Sequence, residues 1–205
     1  MKTELEKCLA GEPFYGGDPE IVKIAAKAKR LTCELNDTGY TDIEKKRGIM
    51  KQLFGSVGRR VHIDVDFHCE YGRHIFIGDR VIINMNCTFV DNNIIEIGND
   101  VLIASNVQIY TATHSTRYVE RILPDDGGDD CEFCLTYAKS VKICDGAWLG
   151  GGVIVLPGVT IGRNSVVGAG SVVTRSIPDN CVAVGNPCRV IKNIDNREKP
   201  IPQQL

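Results

Sequence analysis

The apolar residues of the C-terminal half of the chain recur every six positions. From Lys142 to Asn180 each hexad carries one aliphatic side chain in the same place: Ile143, Leu149, Val155, Ile161, Val167 and Val173. A helix buries residues three and four apart and a strand buries alternate residues, so a period of six requires one short strand and one corner per repeat. Three repeats close a triangular coil, and stacked coils bury what one coil would expose. The pattern predicts a mainly β protein, a parallel β-helix of hexapeptide repeats.

An earlier array has the same period and a long interruption follows it. Its aliphatic and aromatic positions, with a shift of two residues after Phe89, are Tyr71, Ile77, Ile83, Phe89, Ile97, Ile103 and Ile109. From about 115 to 139 the in-phase aliphatic residues disappear, and a Gly-Gly pair and four aspartates take their place. This segment is predicted to leave the prism as a long excursion loop, and such loops are often functional.

The first sixty residues follow a helical period instead. Asp18-Pro19-Glu20 is a helix start, with an N-cap, a proline at the first helical position and an acidic first turn. A second helix is predicted to begin at the capping box Thr41-x-x-Glu44. We therefore expect residues 1–60 to form a short helical cap and residues 61–205 to form the β-helix domain with a C-terminal tail.

Composition narrows the classes of partner. The 205 residues include 24 Lys and Arg against 26 Asp and Glu, and this balance argues against a nucleic-acid-binding protein. The N-terminus has no apolar signal segment, and no run of about 18 apolar residues predicts a membrane span. Nine cysteines, an odd number, favour a reducing compartment over a disulfide framework. The composition predicts a cytoplasmic protein with neither a nucleic-acid nor a membrane partner.

Two residue groups raise the question of a metal site. Cys131 and Cys134 form a C-x-x-C pair, which is typical of zinc or redox sites, but no second pair completes it and two thiols in a loop remain the alternative. His62, His68 and His74 are six residues apart. Residues at that spacing lie on different sides of a three-sided coil, so they are expected at solvated corners without a shared ion. No metal is predicted.

Several segments together resemble a known family. They are the two N-terminal helices, NMNCTFVDNN from Asn84, IGNDVLIASNVQIYTATHS from Ile97, the coil array and VGNPCRVIKNI from Val184. These are similar to the galactoside/maltose O-acetyltransferases of the hexapeptide-repeat acyltransferase superfamily. The resemblance implies left-handed coils, acetyl-CoA as co-substrate, a sugar or glycoside hydroxyl as acceptor, and a homotrimer with active sites between neighbouring prisms.

The resemblance also implies roles for residues on the acceptor side. His114 matches the catalytic histidine, and a histidine can act as general base for an alcohol because it titrates near neutral pH. Asn84 matches an acceptor-site asparagine. Asn92 stands where the family usually has an acidic ligand. The family's other acceptor-binding aspartate falls on Gly16, with Asp18 two places on. Weaker acceptor roles fall on Glu70 and Tyr71, beside the same pocket.

The coenzyme side is implied by charge and by small residues. Coenzyme A has phosphates at one end and an extended arm at the other, which suits a groove that ends in cations. The positions that match the family's coenzyme contacts are Gly151, Ala169, Thr174, Arg175, Arg189 and Lys192. Trp148, the unique tryptophan, is expected to face outward and to form a wall of the groove. Some family members have serine at position 151. Whether a backbone N–H alone serves the oxyanion there is left open.

The predicted function is acetyl-CoA-dependent O-acetylation of a small sugar or glycoside, by direct attack of a hydroxyl that His114 deprotonates. A ping-pong route through Cys87, Cys131 or Cys134 is a minor alternative, because the sequence identifies no histidine partner for them. Two other functions remain open. One is an antibiotic or amino-sugar acetyltransferase on the same scaffold, and the other is a non-catalytic trimeric binding protein. The physiological acceptor and the purpose of the acidic loop are not predicted.

Overall fold

The computed structural model describes residues 1–125, 127–128 and 132–195, and most of these form a three-sided parallel β-helix. In chain order the elements are α1 (Glu4–Ala10), β1 (Phe14–Tyr15), α2 (Pro19–Asp37), α3 (Ile43–Leu53), β2 (Ser56–Val57), β3 (His62–Ile63), β4 (His68–Cys69), β5 (Ile75–Ile77), β6 (Ile82–Ile83), β7 (Thr88–Val90), β8 (Ile95–Ile97), β9 (Leu102–Ile103), β10 (Gln108–Tyr110), β11 (Ala112–Thr113), α4 (Tyr118–Arg121), β12 (Leu135–Ala138), β13 (Val141–Ile143), β14 (Trp148–Leu149), β15 (Ile154–Val155), β16 (Thr160–Ile161), β17 (Val166–Val167), β18 (Val172–Val173), β19 (Cys181–Val184) and β20 (Arg189–Asn193).

Most of the strands form three sheets, one for each side of the prism. Face 1 has the order β16-β13-β8-β5-β2, face 2 has β20-β19-β17-β14-β9-β6-β3, and face 3 has β18-β15-β10-β7-β4. All neighbours within these faces are parallel except β19 and β20, which form an antiparallel hairpin at the end of the chain. The predicted parallel β-helix of hexapeptide repeats is confirmed.

The aliphatic ladders fill the prism as the period predicted. Every hexad position from Ile143 to Val173 is fully buried, and so are the small residues that turn the corners between them, such as Ala147 and Ser165. Phe67 and Phe89 meet edge to face at 5.2 Å near the capped end. Full burial of one branched side chain contributes about 1.5–3 kcal/mol, so the stacked ladders supply much of the stability.

The early coils are longer than the array predicted. Ile63 pairs with Ile83, 20 positions later, whereas Leu149 pairs with Val167, 18 positions later. The two additional residues follow β4 and β7, so the shift after Phe89 occurs in the preceding coil as well. The assignment of Tyr71 to the ladder is therefore wrong. Cys69 takes that place opposite Phe89, and Tyr71 packs outside the prism in a separate cluster with Cys8, Phe14, Ile21 and Ala138.

The N-terminal helices close one end of the prism. α2 begins at Pro19 with Asp18 as its N-cap, as predicted, and Leu31 and Leu35 join the hydrophobic core of the first coils. The predicted cap of the second helix is wrong. α3 begins at Ile43, and Asp42 holds the N-cap position without a side-chain hydrogen bond. α1, which has a capping box of its own, was not predicted. The division at residue 60 stays a prediction.

The excursion leaves the stack after β10 and returns at β13. Val141 of β13 pairs with Ile95, so the ladder on face 1 resumes directly above the coil that preceded the excursion. The described part of the segment contains regular secondary structure. It contains α4, and its last residues form β12, which lies antiparallel between β11 and β1. This small sheet connects the excursion to the N-terminal segment.

Candidate active site

One edge of the prism carries most of the predicted acceptor residues. We call it the third edge, where face 3 turns into face 1, and the carboxyl ends of the parallel face 3 strands all meet there. Glu70 and Tyr71 follow β4, Asn92 lies shortly after β7, and His114 follows β11 at the start of the excursion. These residues come from successive coils, which lie about 4.8 Å apart along the prism axis.

His114 is exposed and its ring is fixed by one hydrogen bond. Nδ1 lies 2.9 Å from the carbonyl oxygen of Leu135 in β12. Because a carbonyl oxygen only accepts, Nδ1 carries the proton, and in the neutral ring Nε2 keeps its lone pair. The small sheet of β11 and β12 thereby orients a nitrogen base toward the surface of the third edge.

A cavity of about 330 Å³ lies beside the third edge, against α2 and the segment after β1. Three of the predicted acceptor residues, Glu70, Tyr71 and Asn92, line it together with Glu132 and Thr136. Thr136 lies next to Leu135 in β12, so the strand that orients His114 also forms a wall of this cavity. Lys29 of α2 forms an ion pair with Glu70 at 3.0 Å across its rim.

The buried side chain of Asp91 holds the backbone of two residues that line the cavity. Its Oδ1 accepts hydrogen bonds from the backbone N–H groups of Glu70 at 2.9 Å and Tyr71 at 2.8 Å. Oδ2 is buried with no hydrogen-bond partner among the described residues. Burial raises the pKa of the Asp91 carboxyl to about 6. Burial likewise raises the pKa of the Tyr71 hydroxyl, against a hydrogen bond to Asn92 that lowers it.

His74 is part of this support, and its predicted place at a solvated corner is wrong. It is only 4% exposed, and Nδ1 donates to the carbonyl oxygens of Asp91 and Asn92 at 3.0 and 2.9 Å. Burial lowers its pKa. His62 and His68 lie on strands of faces 2 and 3 rather than at corners. Among the described residues, no group of three His, Cys, Asp or Glu side chains is arranged to hold a metal ion.

The second edge, where face 2 turns into face 3, carries a different set of predicted residues. Asn84 lies there in the coil of β6, and Gly151 and Ala169 lie in the coils of β14 and β17. The amide of Asn84 donates to the carbonyl oxygen of Ile103 at 3.2 Å. The backbone of Gly151 accepts from Gly170 N–H at 2.9 Å. A Cβ atom built on Gly151 would meet only one atom within 4 Å, so the surface at this corner is open backbone.

The second and third edges are separated by the width of face 3. Cys87 and Asp91 mark the two ends of that face in one coil, and four strand residues span roughly 13 Å. Within one chain, Asn84 and Gly151 therefore do not reach the surface around His114.

The remaining coenzyme residues occupy the far end of the prism. Thr174 and Arg175 follow β18 at the third edge and are exposed, and Arg189 and Lys192 are exposed on β20. Trp148 is 49% exposed on face 2, so its predicted outward orientation is confirmed. It stands in register with Val166, which pairs with Val182, and Val182 pairs with Lys192.

Asp18 and Cys87 are not among the residues that line the cavity. Asp18 lies just before α2, and its Oδ1 accepts from the N–H of Glu20 at 2.9 Å as the helix cap. Cys87 fills the prism core, and burial raises its pKa to about 11, which disfavours the thiolate that a nucleophile requires. Cys131, the first residue of the C-x-x-C pair, lies outside the described residues, and burial raises the pKa of Cys134.

Sequence reasoning missed Asp91, Lys29 and Glu132. A single aspartate between Val90 and two asparagines carries no signal of burial, and Lys29 lies on an ordinary amphipathic helix. The acidity of the excursion was noted, but the sequence does not show which of its carboxylates returns to the prism.

Comparison with known proteins agrees with the fold. Residues 7–58 match the maltose acetyltransferase hexapeptide capping motif, and residues 140–175 match the bacterial transferase hexapeptide of six repeats. Together with the three-sided coils, these matches define a hexapeptide-repeat transferase.

Full-length relatives define the family more closely. A maltose O-acetyltransferase structure from Clostridium difficile 630 is 46% identical with a TM-score of 0.86, covering 95% of this chain and 98% of that one. A hexapeptide-repeat acetyltransferase from Vibrio cholerae, complexed with acetyl coenzyme A, is 37% identical with a TM-score of 0.82, covering 95% and 100%. The galactoside O-acetyltransferase of Escherichia coli K12 is 36% identical over 95% of this chain and 91% of its own length.

The chain belongs to the galactoside/maltose O-acetyltransferase family. The resemblance stated from the sequence, and with it the prediction of an acyltransferase, is confirmed. None of the helices among the described residues has the length and apolar character to cross a membrane.

Proposed function

We propose that this protein transfers the acetyl group of acetyl-CoA to a hydroxyl group of a small sugar or glycoside, in a site shared between neighbouring prisms of a homotrimer. The observation that carries the proposal is the orientation of His114 on this family's scaffold. Its Nδ1 donates to a backbone carbonyl, which leaves Nε2 to accept the proton of an acceptor hydroxyl.

The chemistry requires few groups. As Nε2 of His114 takes the hydroxyl proton, the acceptor oxygen attacks the thioester carbonyl, and the thiolate of coenzyme A leaves as the new ester forms. The leaving thiolate can recover the proton from the histidine, which returns to its neutral form. No acyl-enzyme is required, and the raised pKa of the buried Cys87 thiol argues against one.

The acceptor is assigned to the cavity of Glu70, Tyr71 and Asn92. Its lining offers carboxylate, hydroxyl and amide groups beside the apolar ring of Phe14, and sugars present hydroxyl groups and apolar faces together. A volume of about 330 Å³ suits a small sugar, at the lower end of the range typical of ligand sites. Asp18 at the start of α2 is assigned a position at the rim of this cavity.

Acetyl-CoA is assigned to the open second edge and the cations at the end of the prism. Gly151 and Ala169 give the extended arm room to approach the backbone, and Trp148 forms an adjoining wall. Thr174 lies further along the chain, and the phosphates are assigned to Arg175, Arg189 and Lys192, which are exposed. The N–H of Gly151 is a donor available for the developing oxyanion.

Two observations support a trimer with shared sites. The coenzyme surface at the second edge and the base at the third edge are a face-width apart in one chain, so a complete site requires the second edge of a neighbour. In addition, three apolar side chains stand in register on face 2 and are 40–49% exposed: Ile82, Leu102 and Trp148. Such a ladder is typical of a surface that another protein covers.

Turnover by the parent protein and by His114→Ala tests the base. Coenzyme A release is measured with acetyl-CoA and a panel of glycosides, and coenzyme A affinity is measured separately. We expect kcat to fall by about 10²–10⁴ with the affinity retained. His68→Ala, which changes an exposed histidine on face 3, is the matched control and should leave kcat unchanged.

Three outcomes would contradict parts of the proposal. Equal turnover by the parent and H114A rejects the base. Activity on amines alone assigns the enzyme to amino-sugar or antibiotic acetylation. Absence of turnover on a broad panel, with coenzyme A still bound, favours a binding protein.

A further inference from the structure

The excursion brings one carboxylate back to the acceptor cavity. Glu132 lies near the end of the excursion, two residues before Cys134, which bridges to Ile122. Glu132 lines the cavity together with Glu70 and Tyr71. Within the part of the chain that the structure describes, the Glu132 carboxylate has no hydrogen bond or ion pair, whereas Glu70 is paired with Lys29.

Gly16 provides the space that this carboxylate occupies. A Cβ atom built on Gly16 would lie 3.3 Å from Oε2 of Glu132 and 3.6 Å from its carboxyl carbon. A longer side chain at position 16 would enter the same volume. The two positions, more than a hundred residues apart in the chain, therefore share one place in the cavity wall.

With Glu132 in this place, the cavity wall carries a net negative charge. Two carboxylates face the cavity, and the one cation among its described lining residues, Lys29, is already paired with Glu70. An ionised carboxylate only accepts hydrogen bonds, so it suits ligand hydroxyl groups and repels a ligand anion.

We propose that Glu132 is a specificity-determining residue: its carboxylate accepts hydrogen bonds from the hydroxyl groups of a neutral sugar and disfavours acceptors that carry a carboxylate or phosphate. This inference rests on the proposed function and names the class of acceptor within it. Gly16 contributes by leaving the cavity wall open to the Glu132 side chain.

Steady-state kinetics with a matched pair of acceptors tests the inference. The pair is a neutral glycoside and the corresponding uronide, which differs by a carboxylate. For Glu132→Ala we expect KM for the neutral glycoside to rise about tenfold, which corresponds to a loss of about 1.4 kcal/mol of binding free energy. KM for acetyl-CoA should be unchanged. For Glu132→Gln we expect the preference for the glycoside over the uronide, as a ratio of kcat/KM values, to fall at least fivefold. Glu96→Gln, on face 1 and paired with Lys142, is the control and should leave the ratio unchanged.

The shared volume gives a second measurement. Gly16→Ala should raise KM for the glycoside in the parent by displacing the Glu132 carboxylate, and should have little further effect in the E132A background. An unchanged preference ratio in E132Q, or fully additive effects of G16A and E132A, overturns the role of Glu132 while parental turnover leaves the proposed function intact. A parent inactive on every sugar tested overturns both.

Discussion

Replacing Asp91 by asparagine removes a buried negative charge while the shape of the side chain is kept. Asp91 is fully buried, and burial raises its carboxyl pKa from 3.8 to about 6. Between these values the folded protein holds a proton that the unfolded chain has lost. Ionisation of Asp91 therefore lowers stability as the pH rises from about 4 to about 6, and the loss stays constant above that.

The magnitude follows from the two pKa values. At 1.36 kcal/mol per pKa unit, the shift of Asp91 lowers the free energy of unfolding by about 3 kcal/mol at pH 8. At pH 5 the folded carboxyl is mostly protonated, and the loss is only about half as large. The asparagine side chain of the variant does not titrate, and its unpaired amide adds the same penalty at both pH values. The stability of Asp91→Asn relative to the parent should thus be more favourable at pH 8 than at pH 5, by on the order of 1 kcal/mol.

Urea denaturation at the two pH values, at one fixed protein concentration, measures this difference. Titrations at sites distant from Asp91 occur in both proteins and cancel in the comparison. A mutant-to-parent difference that is the same at pH 5 and pH 8 would refute the assignment of a penalised, ionised carboxylate to Asp91. Because the asparagine of the variant still offers an oxygen to the N–H groups of Glu70 and Tyr71, D91N should keep acceptor KM within about threefold.

Three further predictions concern the prism and its surface. Gly98→Ala places a Cβ atom 2.3 Å from Oδ1 of Asp145 and should lower the free energy of unfolding, measured by urea titration, by about 1–3 kcal/mol. The control Gly39→Ala, whose added Cβ atom meets no atom within 4 Å, should change it by less than about 0.5 kcal/mol. Trp148→Lys should convert the proposed trimer to smaller species in sedimentation velocity, while Phe76→Lys on face 1 should not. If the parent is a trimer and W148K stays one, face 2 is excluded as the interface. Lys29→Met removes a half-exposed ion pair and should lower stability by less than about 1 kcal/mol; a larger loss in thermal unfolding would show that the pair is less screened than its exposure indicates.

The sequence predicted the prism because its period leaves few alternatives. A hexad with one aliphatic residue at a fixed place fits neither a helix nor a flat strand, so fold class and core followed together. Prediction was weaker where the period itself changes. Tyr71 is aromatic and six residues before Ile77, so it appeared to belong to the ladder, and only the pairing of Cys69 with Phe89 shows that the coil is two residues longer.

The candidate site was predicted in part for a different reason. His114 and Asn92 were identified by resemblance, which assigns roles to positions but not their mutual distances. The burial of His74 and Asp91 depends on α1 and β12 covering the third edge, and no local pattern around either residue indicates that cover. Glu132 reaches the cavity only because the excursion folds back as a strand, which a segment rich in aspartate and glycine does not predict.

All departures from the six-residue period in the described coils occur at the third edge, and this explains where the acceptor side of the site lies. Between Cys69 and Ile77, and again between Phe89 and Ile97, eight positions replace six, and after Ile109 the whole excursion is inserted. At the other two edges every residue must turn a corner or fill the prism, so no additional side chains are inserted there. The inserted residues at the third edge are released from that demand. They supply Glu70, the support of Asp91, the base His114 and the carboxylate of Glu132, so the break in the repeat is itself the sequence signal that locates this half of the site.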